Sequence, residues 1–310
     1  MGQVRIDEPG DGVLLATIDN PPLALMTEVI VAELEALSRR AESDPEVRGV
    51  VLTGAHPERF VAHYEVAELL AGARASPAVN PGPARGLLSA VAALRRVPGA
   101  IAAMAGTQVS GLSDAERFGE VLSRFESSGA VTVAAVNGSA MGGGCELSLA
   151  CDFRVMADGP FYIGQPEILL GFPPGGGGTQ RLARLLGTGS ALRMCLEGAP
   201  LTPHEARDVG VVDEVVPQHE VLDRAVALAA RLGKRPKAGI AAVKRAVYRG
   251  GALPLGAGLR LERAEFMAAL VTKEAEDAMA AYVKATERAG DLPLYDEEAR
   301  ERALERGRFT

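Results

Sequence analysis

Three short, largely apolar runs constrain the fold of this chain more than any other feature of its sequence. They cover residues 13–18, 47–53 and 131–136, and each is followed by residues that end a strand, such as Gly, Pro or Asn-Gly. Runs of this length and composition are typical of strands that are covered on both faces. Helical periodicity follows the first run, where Thr27 is placed to cap a helix. Strands that alternate with helices predict an α/β fold.

Composition narrows the class of protein. Of the 310 residues, 47% are hydrophobic and 24% are charged, so the chain can bury enough apolar surface to fold and is not intrinsically disordered. A net charge of −7 and few aromatic residues argue against nucleic acid as the main partner. No stretch approaches the roughly 18 apolar residues of a membrane span, and the polar residues 1–11 do not read as a signal peptide.

Cysteine usage indicates the redox compartment. Cys145, Cys151 and Cys195 form no C-x-x-C pair, and no histidine lies at zinc-finger spacing from them. A long chain with three such cysteines predicts free thiols in a reducing compartment, and hence a cytoplasmic location.

A long connection separates the second and third runs. Residues 71–130 are rich in Ala, Gly, Pro and Ser, with apolar helical pieces at 87–94 and 118–125 and a proline-rich middle, 76–83, that we interpret as a loop. Such a length indicates a lid or an inserted helical arm, at about 71–118, or equally an insert without function.

The last third of the chain is helical in pattern. From residue 221 onward strand signals are lacking. We therefore predict a core over 1–220 that carries the arm, and a helical C-terminal region over 221–310.

The third run leads into the first candidate site. It continues through Asn137-Gly138 to Gly142-Gly143-Gly144, and then to Glu146. Three glycines between a buried strand and a helix allow close backbone approach and leave N–H groups unpaired at the helix start. This pattern fits an oxyanion hole, and it also fits simple packing of glycine at a tight turn.

Two glutamates near the glycines are candidates for acid–base chemistry. Glu146 lies in the first helical turn, where an acid also stabilises the helix dipole. Glu167 lies in an apolar run bounded by turns, a costly place for an unpaired carboxylate, and the glycine loop Gly175–Gly178 follows it. Neighbouring buried glutamates shift each other's pKa, as proton transfer needs. For Glu167 alone, a structural partner such as an arginine explains the position better.

Taken together, these motifs resemble the enoyl-CoA hydratase/isomerase family, the crotonase superfamily. The segments that carry the resemblance are 134–138, 141–147, 151–152, 164–167 and 175–182. The resemblance implies a crotonase-like spiral of ββα repeats with a C-terminal helical region that forms trimers, often paired into hexamers. It also implies acyl-CoA thioester substrates, with no metal and no redox cofactor.

The same resemblance assigns roles by position. The backbone N–H groups of Tyr64 and Gly143 would hold the thioester oxygen, and Glu146 and Glu167 would add one water across a C2=C3 double bond. Having both acids favours an enoyl-CoA hydratase over a Δ3–Δ2 isomerase, with a non-catalytic acyl-CoA-binding protein as a further alternative. Substrate contacts are expected from Arg59, Ala62, Tyr64, Met141, Gly142, Pro166 and Gly175.

One loop departs from the family pattern. Where the family usually has Ala-Gly-Ala-Asp, this chain has Ala62-His63-Tyr64-Glu65. His63 cannot freely adopt the positive φ open to glycine, so the loop conformation is open to change. Tyr64 adds bulk that could narrow the acyl pocket and a hydroxyl that could bind a polar substrate.

Overall fold

A computed structural model describes residues 2–75, 80–95 and 110–310, and strands form its centre. The strands are β1 (Gln3–Gly10), β2 (Val13–Asp19), β3 (Gly49–Gly54), β4 (Arg59–Val61), β5 (Val131–Val136), β6 (Ser139–Met141), β7 (Phe153–Asp158), β8 (Ile163–Gly164) and β9 (Glu214–Pro217).

Helices cover the strands and make up the last third of the chain. They are α1 (Glu28–Ser43), α2 (Val66–Ala75), α3 (Pro81–Leu94), α4 (Ser110–Ser127), α5 (Gly143–Leu149), α6 (Gly178–Leu186), α7 (Thr188–Glu197), α8 (Pro203–Asp208), α9 (Val221–Gly233), α10 (Lys237–Tyr248), α11 (Leu255–Leu270), α12 (Lys273–Ala289) and α13 (Glu297–Arg306).

The six-stranded sheet has the order β1-β2-β3-β5-β7-β9 and is parallel except where β1 meets β2. The three predicted strands are confirmed as β2, β3 and β5, and all six residues of β5 are buried. Thr27 is confirmed as the cap of α1, because its hydroxyl accepts from the Ile30 N–H at 3.4 Å. Strand β1 was not predicted, since it is an exposed edge strand with a polar sequence.

Successive turns of the chain build a second, smaller sheet. After β3, β5 and β7 each contribute a strand to the large sheet, the next strand, β4, β6 or β8, joins a parallel three-stranded sheet of order β4-β6-β8. A helix then follows each pair, so the unit is ββα. The predicted α/β spiral of ββα repeats is confirmed.

The arm contributes helices α3 and α4. Helix α3 begins at Pro81, so the predicted loop over 76–83 is wrong from that residue onward, while residues 76–79 lie outside the described part. Pro81 and Pro83 fit the first helical turn because no intrahelical hydrogen bond is lost there. Both predicted helical pieces, 87–94 and 118–125, lie within helices.

Buried arginine pairs fasten the arm to α1. Arg95, whose side chain is 6% exposed, lies 3.3 Å from Glu35 and 3.1 Å from Glu120. Arg117 approaches Glu35 at 3.1 Å. The end of α3, helix α4 and helix α1 therefore share one charge cluster, which holds α4 against the core.

The helical C-terminal region begins with a helix that belongs to the core. Helix α9 packs on the large sheet and buries Ala225 and Ala229. Helices α11, α12 and α13 contain no buried residue. The division of the chain at residue 220 stays a prediction.

Two further sequence predictions concern the cysteines and the membrane spans. Cys145, Cys151 and Cys195 are buried and unpaired, as predicted. Within the described ranges, no helix is both long and apolar enough to cross a membrane.

Candidate active site

The candidate site lies where the three strands of the small sheet end. Because β4, β6 and β8 are parallel, their carboxyl ends lie at one edge, a common place for ligand sites in parallel sheets. The segments that follow them are 62–65, 142–146 and 165–167. Ladder contacts join the segments, since Met141 N–H donates to Ala62 O and Gly142 N–H donates to Gly164 O, both at 2.9 Å.

Neighbouring backbone fixes the loop that carries Tyr64. Ala62 N–H donates to Ala24 O, Met26 N–H donates to His63 O, and Glu65 N–H donates to Met26 O, each at 2.8 Å. His63 does not have a positive φ, so replacing the usual glycine by histidine causes no backbone strain in this loop. The non-glycine residues with positive φ in the described chain are Asp11 and Ala24.

The two predicted oxyanion donors lie on adjacent segments. A Cβ built on Gly143 would stand 3.4 Å from Tyr64 N and 3.5 Å from Tyr64 Cβ. Gly143 is the first residue of α5, so no preceding helical carbonyl accepts its N–H. The backbone of Tyr64 therefore borders the start of α5, as the oxyanion prediction requires.

Glu146 is a buried acid in the first turn of α5. It is 3% exposed, and Gly178 N–H donates to its Oε1 at 2.8 Å. Burial raises the pKa of Glu146, while the N–H groups of Gly178 and Gly176 and the charge of Arg181 act in the opposite direction. The glycine loop Gly175–Gly178 thus lies directly against the carboxyl group of Glu146.

Gly176 has no room for a side chain. An added Cβ would lie 2.4 Å from Phe118 Cε1 and 2.5 Å from Glu146 Oε2. The phenyl ring of Phe118, carried by α4, and the carboxyl group of Glu146 therefore lie next to each other, on the same side of Gly176.

Glu167 begins a 3₁₀ turn, Glu167–Leu170, and is 9% exposed. Burial and, to a smaller extent, the charge of Glu146 raise its pKa to about 7. The amide of Gln165, itself fully buried, donates to both carboxylate oxygens at 2.8 and 3.0 Å when its nitrogen faces them, an assignment that rests on the neighbouring groups. Glu167 thus has a neutral partner, where the sequence alone favoured an arginine.

Gly142 connects the two acids. Its φ of 48° is one that glycine adopts readily. A Cβ there would lie 3.0 Å from Glu167 Oε1, and the Gly142 carbonyl accepts from Glu146 N–H at 2.9 Å. The carboxyl group of Glu167 therefore lies at the start of α5, the helix whose first turn carries Glu146.

The other predicted contact residues divide into two groups. Ala62 and Met141 lie at the strand ends beside the oxyanion segments, Pro166 precedes Glu167, and Gly175 is exposed. Arg59 instead begins β4, at the opposite end of that strand, and its guanidinium donates to Leu23 O at 3.2 Å. Its predicted role in binding CoA stays a prediction.

Sequence reasoning missed two residues of the site. Gln165 lies in the segment 164–167, and a polar residue two positions before a buried acid could have indicated a hydrogen-bond partner for Glu167. Phe118 was noted only as part of a helical piece, and nothing local in the sequence indicates that it reaches Glu146.

A methyl group at Gly176 should damage the site. We expect Gly176→Ala to lower kcat more than tenfold while the chain still folds, because Phe118 and Glu146 must both move. Steady-state kinetics measure kcat, and thermal melting shows whether the variant folds. In the matched variant Gly189→Ala an added Cβ meets nothing within 4 Å, so kcat should be unchanged, and the melting temperature should be unchanged or slightly raised because Gly189 lies in α7. Equal kinetics in the two variants would refute the close contact.

Stability should depend on pH through Glu167. Its pKa is about 7 in the folded chain against an ordinary 4.5, so the folded state binds more protons between these values. The stabilisation present below pH 4.5 is then lost as the pH rises through about 7, by up to about 3 kcal/mol in the free energy of unfolding. Urea unfolding at several pH values should show a smaller decline in Glu167→Gln. Identical declines would contradict the assignment.

Comparison with known proteins shows the family to which the chain is related. A model of the enoyl-CoA hydratase/isomerase family matches residues 112–288. The fatty acid oxidation complex subunit alpha of Shewanella putrefaciens is 34% identical over 230 residues, which are 73% of this chain. The chain spans only 28% of that relative's length.

Solved structures show the same fold. An enoyl-CoA hydratase from Bacillus anthracis superposes with a TM-score of 0.71 at 25% identity, covering 94% of this chain and 98% of the other. One from Polaromonas sp. JS666 gives 0.72 at 25% identity, with 91% and 97% covered. The chain belongs to the enoyl-CoA hydratase/isomerase family, and its fold is the crotonase fold.

Proposed function

We propose that this protein is an enoyl-CoA hydratase, which adds water across the C2=C3 bond of a trans-2-enoyl-CoA. The observation that carries the proposal is the pair of buried acids, Glu146 in the first turn of α5 and Glu167 beside the Gly142 that precedes that helix. Both have raised pKa values, which bring carboxyl groups towards the range useful for proton transfer near neutral pH.

The chemistry divides between backbone and side chains. The N–H groups of Tyr64 and Gly143 receive the thioester oxygen as it gains negative charge, and one such donor is typically worth about 2.7–4 kcal/mol of transition-state stabilisation. One glutamate accepts a proton from water as its oxygen bonds to C3. The other assists delivery of a proton to C2 on the same face.

A second candidate reaction is Δ3–Δ2 isomerisation. It is favoured by the difference between the acids, since Glu146 is held by Gly178 N–H and packed beside Phe118. Glu167 alone, with a pKa of about 7, could carry a proton between C4 and C2.

Product analysis distinguishes the two reactions. The protein is incubated in parallel with a 2-enoyl-CoA and a 3-enoyl-CoA, and the products are separated by chromatography. Hydration predicts a 3-hydroxyacyl-CoA from the 2-enoyl substrate as the faster reaction. Conversion of the 3-enoyl substrate to the 2-enoyl isomer, without added water, would favour isomerisation. A chain that binds CoA but converts neither is a binding protein.

We also propose that the chain forms trimers or pairs of trimers. Support comes from apolar side chains on α11 and just after it, since Phe266 is 61%, Met267 67% and Val271 81% exposed. Light scattering of the purified protein would detect three or six copies, and a monomer would refute this proposal.

The metabolic role, the location, the cofactors and the partners of the protein are proposals at the level of the family. The name of the Shewanella relative supports a role in fatty acid oxidation. A cytoplasmic location, the lack of a metal or redox cofactor, and the lack of nucleic-acid or membrane partners stay predictions.

A further inference from the structure

We propose that Phe118 determines substrate specificity by restricting the acyl group beyond C3, so that short 2-enoyl-CoAs are preferred to long ones. The inference rests on the proposed function and deepens it, because it names the part of the substrate that the arm contacts. Phe118 reaches the site from α4 and is 5% exposed.

Side chains and backbone from three segments meet at the first turn of α5. The rings of Tyr64 and Phe118 meet edge to face, with centroids 6.2 Å apart and an interplanar angle of 63°. Phe118 lies beside Glu146, since a Cβ added at Gly176 would be 2.4 Å from the ring and 2.5 Å from the carboxyl group, and Tyr64 contacts Gly143 at the start of α5. The oxyanion segment, the two aromatic rings and an acid thus lie in successive contact at the first turn of α5.

These contacts constrain where an acyl chain can lie. With its thioester oxygen at the Tyr64 and Gly143 N–H groups and C3 beside the acids, a substrate has its first three carbons next to Glu146. Carbons beyond C3 then meet the ring of Phe118, which lies beside both Glu146 and Tyr64. A short chain fits against the ring, whereas a long chain requires the ring to move.

The ring is held in place. Val121, Leu122 and Phe125, on the same helix, are fully buried in the core. Arg117, the residue before Phe118, pairs with Glu35 of α1. Displacing the ring would therefore require moving a packed helix, which costs free energy.

The test compares chain lengths in matched variants. Hydration kcat/KM is measured for 2-enoyl-CoAs of four, eight and twelve carbons with wild type, Phe118→Ala, Phe118→Leu and the control Phe125→Leu. Wild type should lose activity as the chain lengthens. Phe118→Ala should raise the ratio of twelve-carbon to four-carbon kcat/KM by about tenfold or more, and Phe118→Leu by less.

The control separates specificity from stability. Phe125→Leu removes a ring from the same helix, so it should lower the melting temperature and leave the chain-length ratio unchanged. If Phe118→Ala does not fold, Phe118→Leu carries the test. A ratio unchanged in the folded Phe118 variants, or a wild type that prefers twelve carbons, overturns the inference alone. A wild type that hydrates no 2-enoyl-CoA overturns the proposed function, and this inference with it.

Discussion

Glu146→Gln and Glu167→Gln should each lower kcat for crotonyl-CoA hydration by about 10²–10⁴-fold, the usual contribution of a positioned acid or base. Glutamine keeps the size of the side chain, and its carbonyl can still accept the Gly178 N–H at position 146. What it loses is the ability to take and return a proton. The loss should appear in kcat, because the substrate contacts are unchanged.

Stability measurements show that the loss is chemical. Burial disfavours the charged form of both acids, so the neutral amides should leave the melting temperature unchanged or raise it. The double variant should lose less than the product of the single losses, because the acids act on one reaction as a unit. Glu262→Gln, at an exposed position of α11, is the matched control and should keep full activity. Full activity in both site variants would exclude these residues as the acid–base pair.

Lys244→Met should lower the free energy of unfolding by about 3–5 kcal/mol, the usual cost of removing one partner from a buried ion pair. Lys244 Nζ lies 2.7 Å from Asp152 Oδ2, and the two side chains are 8% and 9% exposed. The same oxygen accepts from the Thr132 N–H at 2.8 Å, and the Tyr248 hydroxyl donates to Oδ1 at 3.1 Å. Without the lysine, a buried carboxylate keeps its hydrogen bonds to Thr132 and Tyr248 but loses its counter-charge and one donor.

This pair joins α10 to the sheet, so urea unfolding of the variant also tests how the C-terminal helices are attached. The double variant Lys244→Met/Asp152→Asn should recover part of the loss, because no unpaired charge remains. Lys273→Met, which breaks an exposed pair with Asp277, should change the free energy by no more than about 1 kcal/mol. Equal effects of the two lysine substitutions would contradict the buried pair.

Local patterns in the sequence predicted the parts of the fold that depend on neighbouring residues. The apolar run of β5 and the Thr27 cap are of this kind, as is Glu146 in the first turn of α5. Strand β1 escaped prediction because an exposed edge strand needs no apolar alternation, and its pairing with β2 defines it. Pro81 and Pro83 signalled a loop, although proline is equally suited to a helix start.

Contacts between distant segments could not be predicted in this way. Glu167 was recognised as an unusual buried acid, but its partner Gln165 depends on side-chain placement at the end of β8. The approach of Phe118 to Glu146 requires α4 to pack on α1 and the second glycine loop to close over α5. Such placements follow from tertiary packing, which no single segment encodes.

The central claim is that Glu146 and Glu167 together add water to a 2-enoyl-CoA, and its most direct test follows the oxygen of that water. Crotonyl-CoA is incubated with the protein in heavy-oxygen water, and the product is examined by mass spectrometry. We expect 3-hydroxybutyryl-CoA carrying one labelled oxygen from wild type, and a rate close to the uncatalysed one from the Glu146→Gln/Glu167→Gln variant. Unchanged substrate, an unlabelled isomer, or equal labelling by the double variant would contradict it.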